Sequence, residues 1–157
     1  MMHTTDYSTK FLSLDDISVA AKLYLTVFSK PPWKEHWDHN LACQRLEHIA
    51  TCPGFYGISI WIESKLIGFC MGNIEPFNNT SFFYLKEVCV SHKYQNQGIG
   101  SIMLDRLVKD LQKEQVDSLY LITQRQDQLV HFIIKMDLNK TQNYVYFPKK
   151  LIKLHLI

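Results

Sequence analysis

The chain has 157 residues, enough to bury a sizeable core and short for two typical domains. Its 46% hydrophobic and 20% charged content excludes a disordered chain, and a net charge of +2 is too small to point to nucleic acid. No apolar run reaches the length of a membrane span and no apolar signal core opens the chain, so a cytoplasmic protein with no membrane partner is expected.

A short strand is expected at residues 10–12. Asp15 or Asp16 then caps a helix in which Ile17, Ala20, Ala21, Tyr24, Val27 and Phe28 keep helical spacing, and Pro31-Pro32 ends it. Asp38 caps a second helix with apolar positions Leu41, Cys43, Leu46, Ile49 and Ala50, stopped by Pro53-Gly54. Residues 55–62 and 66–72 flank the turn Glu63-Ser64-Lys65 and predict an antiparallel hairpin, and residues 82–90 a third strand. After Gly100 the period changes, and Ile102, Met103, Leu107, Val108 and Leu111 mark a helix to about Gln115. A buried strand at 118–123, a helix at 128–136 and a single last strand at 143–147 complete the order. Helices interleaved with strands, with no repeat or linker, predict one α/β (α+β) layered domain over residues 1–157.

Cys43, Cys52, Cys70 and Cys89 have no CxxC spacing and are expected as small buried hydrophobes. Only His39 and Cys43 have ligand-like spacing, and with no second pair no metal is expected. Lys149, Lys150 and Lys153 form the densest basic stretch and suit a solvated surface. His92 and His131 receive no role.

The informative stretch runs from Glu87-Val88-Cys89-Val90 through a polar loop to Gln95-Asn96-Gln97-Gly98-Ile99-Gly100-Ser101. Strand, loop and helix in that order place unpaired helix N–H groups, and the positive end of the macrodipole, where a phosphate can sit. Glycines at 98 and 100 keep side chains out of the way. A dinucleotide fingerprint would need glycine at Met103, and a phosphate-binding Walker loop would need Lys rather than Ser101 after Gly100.

Gln95-x-x-Gly98-x-Gly100 after this strand resembles the pyrophosphate-binding motif of the GNAT superfamily of N-acetyltransferases. Leu119–Thr123 resembles that family's next strand, Phe132-Ile133-Ile134-Lys135-Met136-Asp137-Leu138 a degraded Phe-Tyr-x-Lys-x-Gly-Phe segment, and Pro31-Pro32-Trp33-Lys34-Glu35-His36-Trp37 an early element of some bacterial members. The resemblance spans about residues 10–151.

It implies a mixed, mostly antiparallel sheet flanked by helices, and an enzyme that passes an acetyl group from acetyl-CoA directly to an amine. The pyrophosphate would be held by the backbone of Gln95, Asn96, Gln97, Gly98, Ile99 and Gly100, with Ser101 assisting. The pantetheine arm would pair with the strand carrying Val88, Cys89 and Val90, and an amide near Cys89 or Val90 would face the developing oxyanion. An alkyl ammonium must lose a proton before it can attack, and Glu87 is the candidate base or ammonium anchor. Tyr84 and Lys86 are expected on the opposite face of the strand from Glu87 if it alternates cleanly, unless a bulge intervenes. Trp33, Glu35 and Trp37 would hold the acceptor, expected to be a small cationic amine.

Two departures stand out. Ile133 replaces the tyrosine that often protonates the leaving thiolate, and a single last strand leaves the acceptor side short, so that a homodimer could complete it. The alternative function is a degenerate domain that senses acyl-CoA without transferring anything.

Overall fold

The computed structural model describes residues 6–123 together with the strands Asn143–Tyr146 and Ile152–Leu156. In chain order the elements are β1 (Ser8–Phe11), α1 (Ile17–Phe28), α2 (His39–Ala50), β2 (Phe55–Ile62), β3 (Lys65–Phe77), β4 (Thr80–Val90), α3 (Ile99–Lys113), β5 (Ser118–Thr123), β6 (Asn143–Tyr146) and β7 (Ile152–Leu156). The expected helix at 128–136, with Ile133, falls outside the described residues, as do Lys149 and Lys150.

The strands form one mixed sheet in the order β1-β2-β3-β4-β5-β7-β6. Every pairing is antiparallel except β4 with β5. Crossing from β4 to a parallel neighbour requires a long connection, which α3 supplies. The sequence reading missed β7: the last segment is a hairpin, β6 antiparallel to β7, with β7 also paired to β5. The expected shortage of strands on that side therefore does not hold.

The helices cover both faces. On one, Met103, Leu104, Leu107 and Leu111 of α3 pack on Ile58, Ile60, Phe83 and Leu85. On the other, Ile17, Ala20, Tyr24 and Val27 of α1 and Ala42, Leu46 and Ile49 of α2 pack on Phe69, Met71 and Cys89. Asp38 caps α2 as its position predicts, its Oδ1 accepting from the Leu41 amide at 2.9 Å. The α2 stripe runs through Ala42 rather than the expected Leu41, which is 46% exposed, and Cys43, which is half-buried. Cys52 is also half-buried, so only Cys70 and Cys89 behave as core residues. At α1 neither Asp15 nor Asp16 caps with its side chain. Asp16 Oδ2 instead accepts from the amide and hydroxyl of Ser13, both at 2.9 Å, and holds the short 3-10 turn Leu14–Asp16 that leads into the helix.

Two features of β4 shape the surface between the sheet and its helices. Met71 pairs with Glu87 and Gly72 with Leu85, so Lys86 is an extra residue, a β-bulge. Phe83 and Leu85 thus face α3, while Glu87 and Cys89 face α1 and α2. The second feature is that pairing with β5 stops at Leu85↔Leu121. From Lys86 to Val90, β4 has β3 on one side and no described strand on the other.

Candidate active site

The split between β4 and β5 opens into a cavity of about 1050 Å3, of a size that holds a large ligand. Its walls include Leu85, Lys86, Glu87, Val88 and Val90 of β4, and Leu121 of β5. One end is the loop Gln95, Asn96, Gly98, Ile99, Gly100 and Ser101; the other is Trp33, Glu35 and Trp37 with Tyr24 and Phe28 of α1. The expected coenzyme and acceptor residues thus meet in one space. The exceptions are Gln97, whose exposed side chain donates to the Lys93 carbonyl at 2.8 Å, and Cys89, whose side chain is buried in the α1/α2 core.

The loop is fixed from within. A 3-10 turn at His92–Tyr94 leads out of β4, and Gln95 Nε2 donates to the Val90 carbonyl at 2.9 Å, tying the turn back to the strand. His92 lines the cavity and lies 3.3 Å from the Val27 carbonyl, joining the loop to α1. Gly98 is the N-cap of α3 with φ +82°, where a side chain is strained, and a Cβ there would point into open space. Helical bonding in α3 begins with Ile102 N donating to Gly98 O at 3.0 Å, which leaves the amides of Ile99, Gly100 and Ser101 without an intrahelical acceptor. A diphosphate fits this arrangement: free amides, the positive end of the helix, and a glycine at the point of approach.

At the other end, backbone bonds from Trp33 and Lys34 amides to Lys30 O, and from Glu35 N to Phe28 O, fold the Pro31–Trp37 segment back onto α1. Trp37 meets Tyr24 edge-on at 5.1 Å, and Trp33 lies 5.5 Å from Phe28. Trp37 Nε1 donates to Glu35 Oε2. The tryptophans are half-buried, so their rings are shared between packing and the cavity.

Glu87 lies between these ends, 8% exposed. Arg45 of α2 donates to its Oε1 from Nε and from Nη2, each at 2.8 Å, and the Tyr24 hydroxyl donates to it as well. Burial pushes the Glu87 carboxyl up; Arg45 and Tyr24 pull it back only in part, leaving it above the ordinary carboxylate range. Burial, with the neighbouring Glu87 charge, pushes the Tyr24 phenol up too. The same two causes hold the Cys89 thiol well above its usual value, so it is a poor source of thiolate.

The strand does not alternate cleanly, and with the bulge that the sequence reading allowed for, Tyr84 and Lys86 do not point away from Glu87. Lys86 Nζ donates to Asn73 Oδ1 at 2.8 Å, and Asn73 in turn donates to the Ile49 carbonyl at the end of α2, so the bulge brings Lys86 to the α2 side. Lys86 Nζ also lies 5.3 Å from the centroid of the Tyr84 ring. Arg45, the partner of Glu87, was not foreseen. Its sequence signal is its spacing, three residues after Ala42 and four before Ile49, which sets a cation beside the buried stripe of α2.

Residues 17–136 match the profile of the Acetyltransferase (GNAT) family. The chain belongs to that family. No curated protein matches it, but solved structures do. The PaiA N-acetyltransferase of Thermoplasma acidophilum in complex with coenzyme A is 13% identical, covering 96% of this chain and 98% of that one, with a TM-score of 0.69. An acetyltransferase of Thermus thermophilus is 12% identical over 98% of both chains, with a TM-score of 0.70. An aminoglycoside acetyltransferase from an uncultured soil metagenomic sample, in complex with sisomicin, is 15% identical over 92% of this chain and 95% of that one, with a TM-score of 0.66. At such identities these neighbours speak for the GNAT fold, which is the fold observed. Among the described residues, no helix is long and apolar enough to cross a membrane.

Proposed function

We propose that this GNAT protein is an acetyl-CoA-dependent N-acetyltransferase that passes the acetyl group directly to a small amine bound as its ammonium. The observation that carries the reading is the opening of β4 between Lys86 and Val90, which joins the Gly98 loop to the Glu87 carboxylate in one cavity. The amides of Ile99, Gly100 and Ser101, with the backbone of Gln95, Asn96, Gln97 and Gly98, would take the pyrophosphate. The backbone edge carrying Val88, Cys89 and Val90, which has no strand beside it among the described residues, would take the pantetheine arm as an added strand and offer an amide to the thioester oxygen.

The acceptor ammonium would lie against Glu87, with Trp33, Glu35 and Trp37 around it. Glu87 removes a proton, directly or through water, and its raised affinity for protons suits that role near neutral pH. The amine nitrogen then attacks the thioester carbonyl and the C–N bond forms; the nitrogen sheds its second proton to water, the C–S bond breaks, and the thiolate leaves and takes a proton from water. A covalent route through Cys89 finds no support, because that thiol is buried in the core and not in the cavity wall. The sensor alternative rests on Ile133 and Asp137, which lie outside the described residues, and no described feature favours it.

Release of free coenzyme A thiol in the presence of an amine panel tests the reading. Transfer to at least one amine is expected; coenzyme binding without thiol release across the panel would leave only the sensor. The loop is tested by Gly98→Val, which puts a branched side chain into left-handed backbone at the phosphate approach. It should weaken acetyl-CoA binding at least tenfold, about 1.4 kcal/mol. Unchanged calorimetric affinity in a folded variant would place the pyrophosphate elsewhere.

A further inference from the structure

The pairing of Arg45 with Glu87 bears on which amine the cavity accepts. Both guanidinium contacts, from Nε and Nη2, go to a single oxygen, Glu87 Oε1. That uses two of the five guanidinium N–H groups and leaves both on Nη1 and one on Nη2. The Arg45 side chain is 40% exposed and lines the cavity beside Glu87. An acceptor that reaches Glu87 therefore also meets a cation.

Charge counting sharpens this. Among the described residues in the cavity wall, the carboxylates are Glu35 and Glu87, and the permanent cations are Arg45 and Lys86. One carboxylate is already paired with Arg45. A polycationic acceptor, or a simple alkylammonium, would gain at Glu87 and lose against the guanidinium next to it. A molecule carrying its own negative charge one or two carbons from its amine would gain at both.

We propose that the acceptor is a free amino acid, its ammonium set against Glu87 and its carboxylate against the unused N–H groups of Arg45. The Arg45–Glu87 pair and the zwitterion then lie antiparallel, each charge beside its opposite. The planar guanidinium offers a fork of parallel donors, the geometry a carboxylate accepts best. The half-buried rings of Trp33 and Trp37, with Phe28, form the wall on which an apolar side chain would rest. This inference rests on the amine acetylation proposed above and names its substrate class.

The test compares three forms of one side chain: leucine, leucinamide and isopentylamine, with the phenylalanine, phenylalaninamide and phenethylamine series in parallel. Thiol release from acetyl-CoA gives kcat/KM, and calorimetry on protein saturated with coenzyme A gives acceptor binding independent of turnover. The free amino acids should exceed their amides and decarboxylated amines at least tenfold in kcat/KM, mainly through KM. Arg45→Met should raise the amino-acid KM at least tenfold and close the gap to the amines, with Arg45→Lys between; coenzyme affinity reports whether each variant is folded. Decarboxylated amines that match or beat the amino acids in the wild type would overturn the zwitterion and leave amine acetylation standing. Amino acids that bind without thiol release would uphold the recognition and remove the catalysis. Neither binding nor release for any member of the two series overturns the inference.

Discussion

Asp110 and Glu87 are buried carboxylates on opposite faces of the same sheet, 6% and 8% exposed, and each has basic partners. Asp110, on the α3 side, accepts from Arg106 Nε at 2.6 Å, the Tyr56 hydroxyl at 3.0 Å and Lys113 Nζ at 3.3 Å. Burial pushes its carboxyl up, but these donors outweigh it and hold it below the ordinary range. Glu87, on the α1/α2 side, has Arg45 and Tyr24 as donors, but burial outweighs them and the Glu35 charge adds to it, so the balance falls the other way. Asp110 is outside the cavity wall, whereas Glu87 is part of it. Equal exposure thus hides opposite chemistry. A carboxylate whose donors outweigh its burial is held in its charged form and serves structure; one whose burial outweighs its donors takes a proton more readily.

The largest expected effect comes from neutralising the second of these. Glu87→Gln keeps the shape and removes the base, so turnover on a confirmed amine should fall about 100-fold or more while calorimetric affinity for the coenzyme persists. Asp110→Asn, equally buried, should leave turnover within a factor of two or so. If the two variants lose activity alike, the contrast between the faces has no catalytic meaning.

Stability should separate the pair in the reverse order. Asp110→Asn weakens charge-assisted hydrogen bonds to three donors and should cost roughly 1–3 kcal/mol at neutral pH. The Asp110 carboxyl is lowered in the folded state, so its contribution is full above the unfolded value near ~3.9 and is lost as pH falls through the folded one. The melting-temperature gap between wild type and Asp110→Asn should therefore shrink in acid. Glu87 runs oppositely: with its carboxyl raised by folding, its ionisation disfavours the native state as pH rises. Glu87→Gln should then cost less stability at pH 7 than Asp110→Asn. A gap at Asp110 that stays constant from pH 7 to 3 would show that its charge is not what the three donors stabilise.

What the sequence made legible divides along physical lines. The α1 stripe, the Asp38 cap and the Gly98 loop were readable because period, cap chemistry and glycine are local signals. The Lys86 bulge could be allowed for but not placed, because it arises from how β3 and β4 align, and nothing within either strand marks the slip. That one extra residue puts Tyr84 and Lys86 on the side of Glu87. The strand β7 was missed because Lys149, Lys150 and Lys153 drew the reading towards a solvated surface. Yet Ile152-Lys153-Leu154-His155-Leu156 alternates apolar and polar residues as a strand does. Arg45 was overlooked because the sequence marks its place beside the α2 stripe but not the β4 carboxylate opposite it.

Tyr24→Phe asks the finest question about Glu87. The ring packs 4.5 Å from Phe28 and 5.1 Å from Trp37, contacts that phenylalanine keeps, so the substitution removes little beyond the hydroxyl. That hydroxyl donates to Glu87 and is one of the two groups pulling its carboxyl down. Without it, burial and the Glu35 charge are opposed by Arg45, and Glu87 should hold its proton to higher pH. The acidic limb of the kcat/KM profile should then move up, by at most about one pH unit, since a hydrogen bond to a charged group is worth about 1.5–3 kcal/mol and part of that is recovered from water. A limb that stays in place would mean that the titrating base is not Glu87. A fall of more than a hundredfold across all pH values, with the limb unmoved, would instead make Tyr24 the group that delivers to the departing thiolate the proton that Ile133 cannot supply.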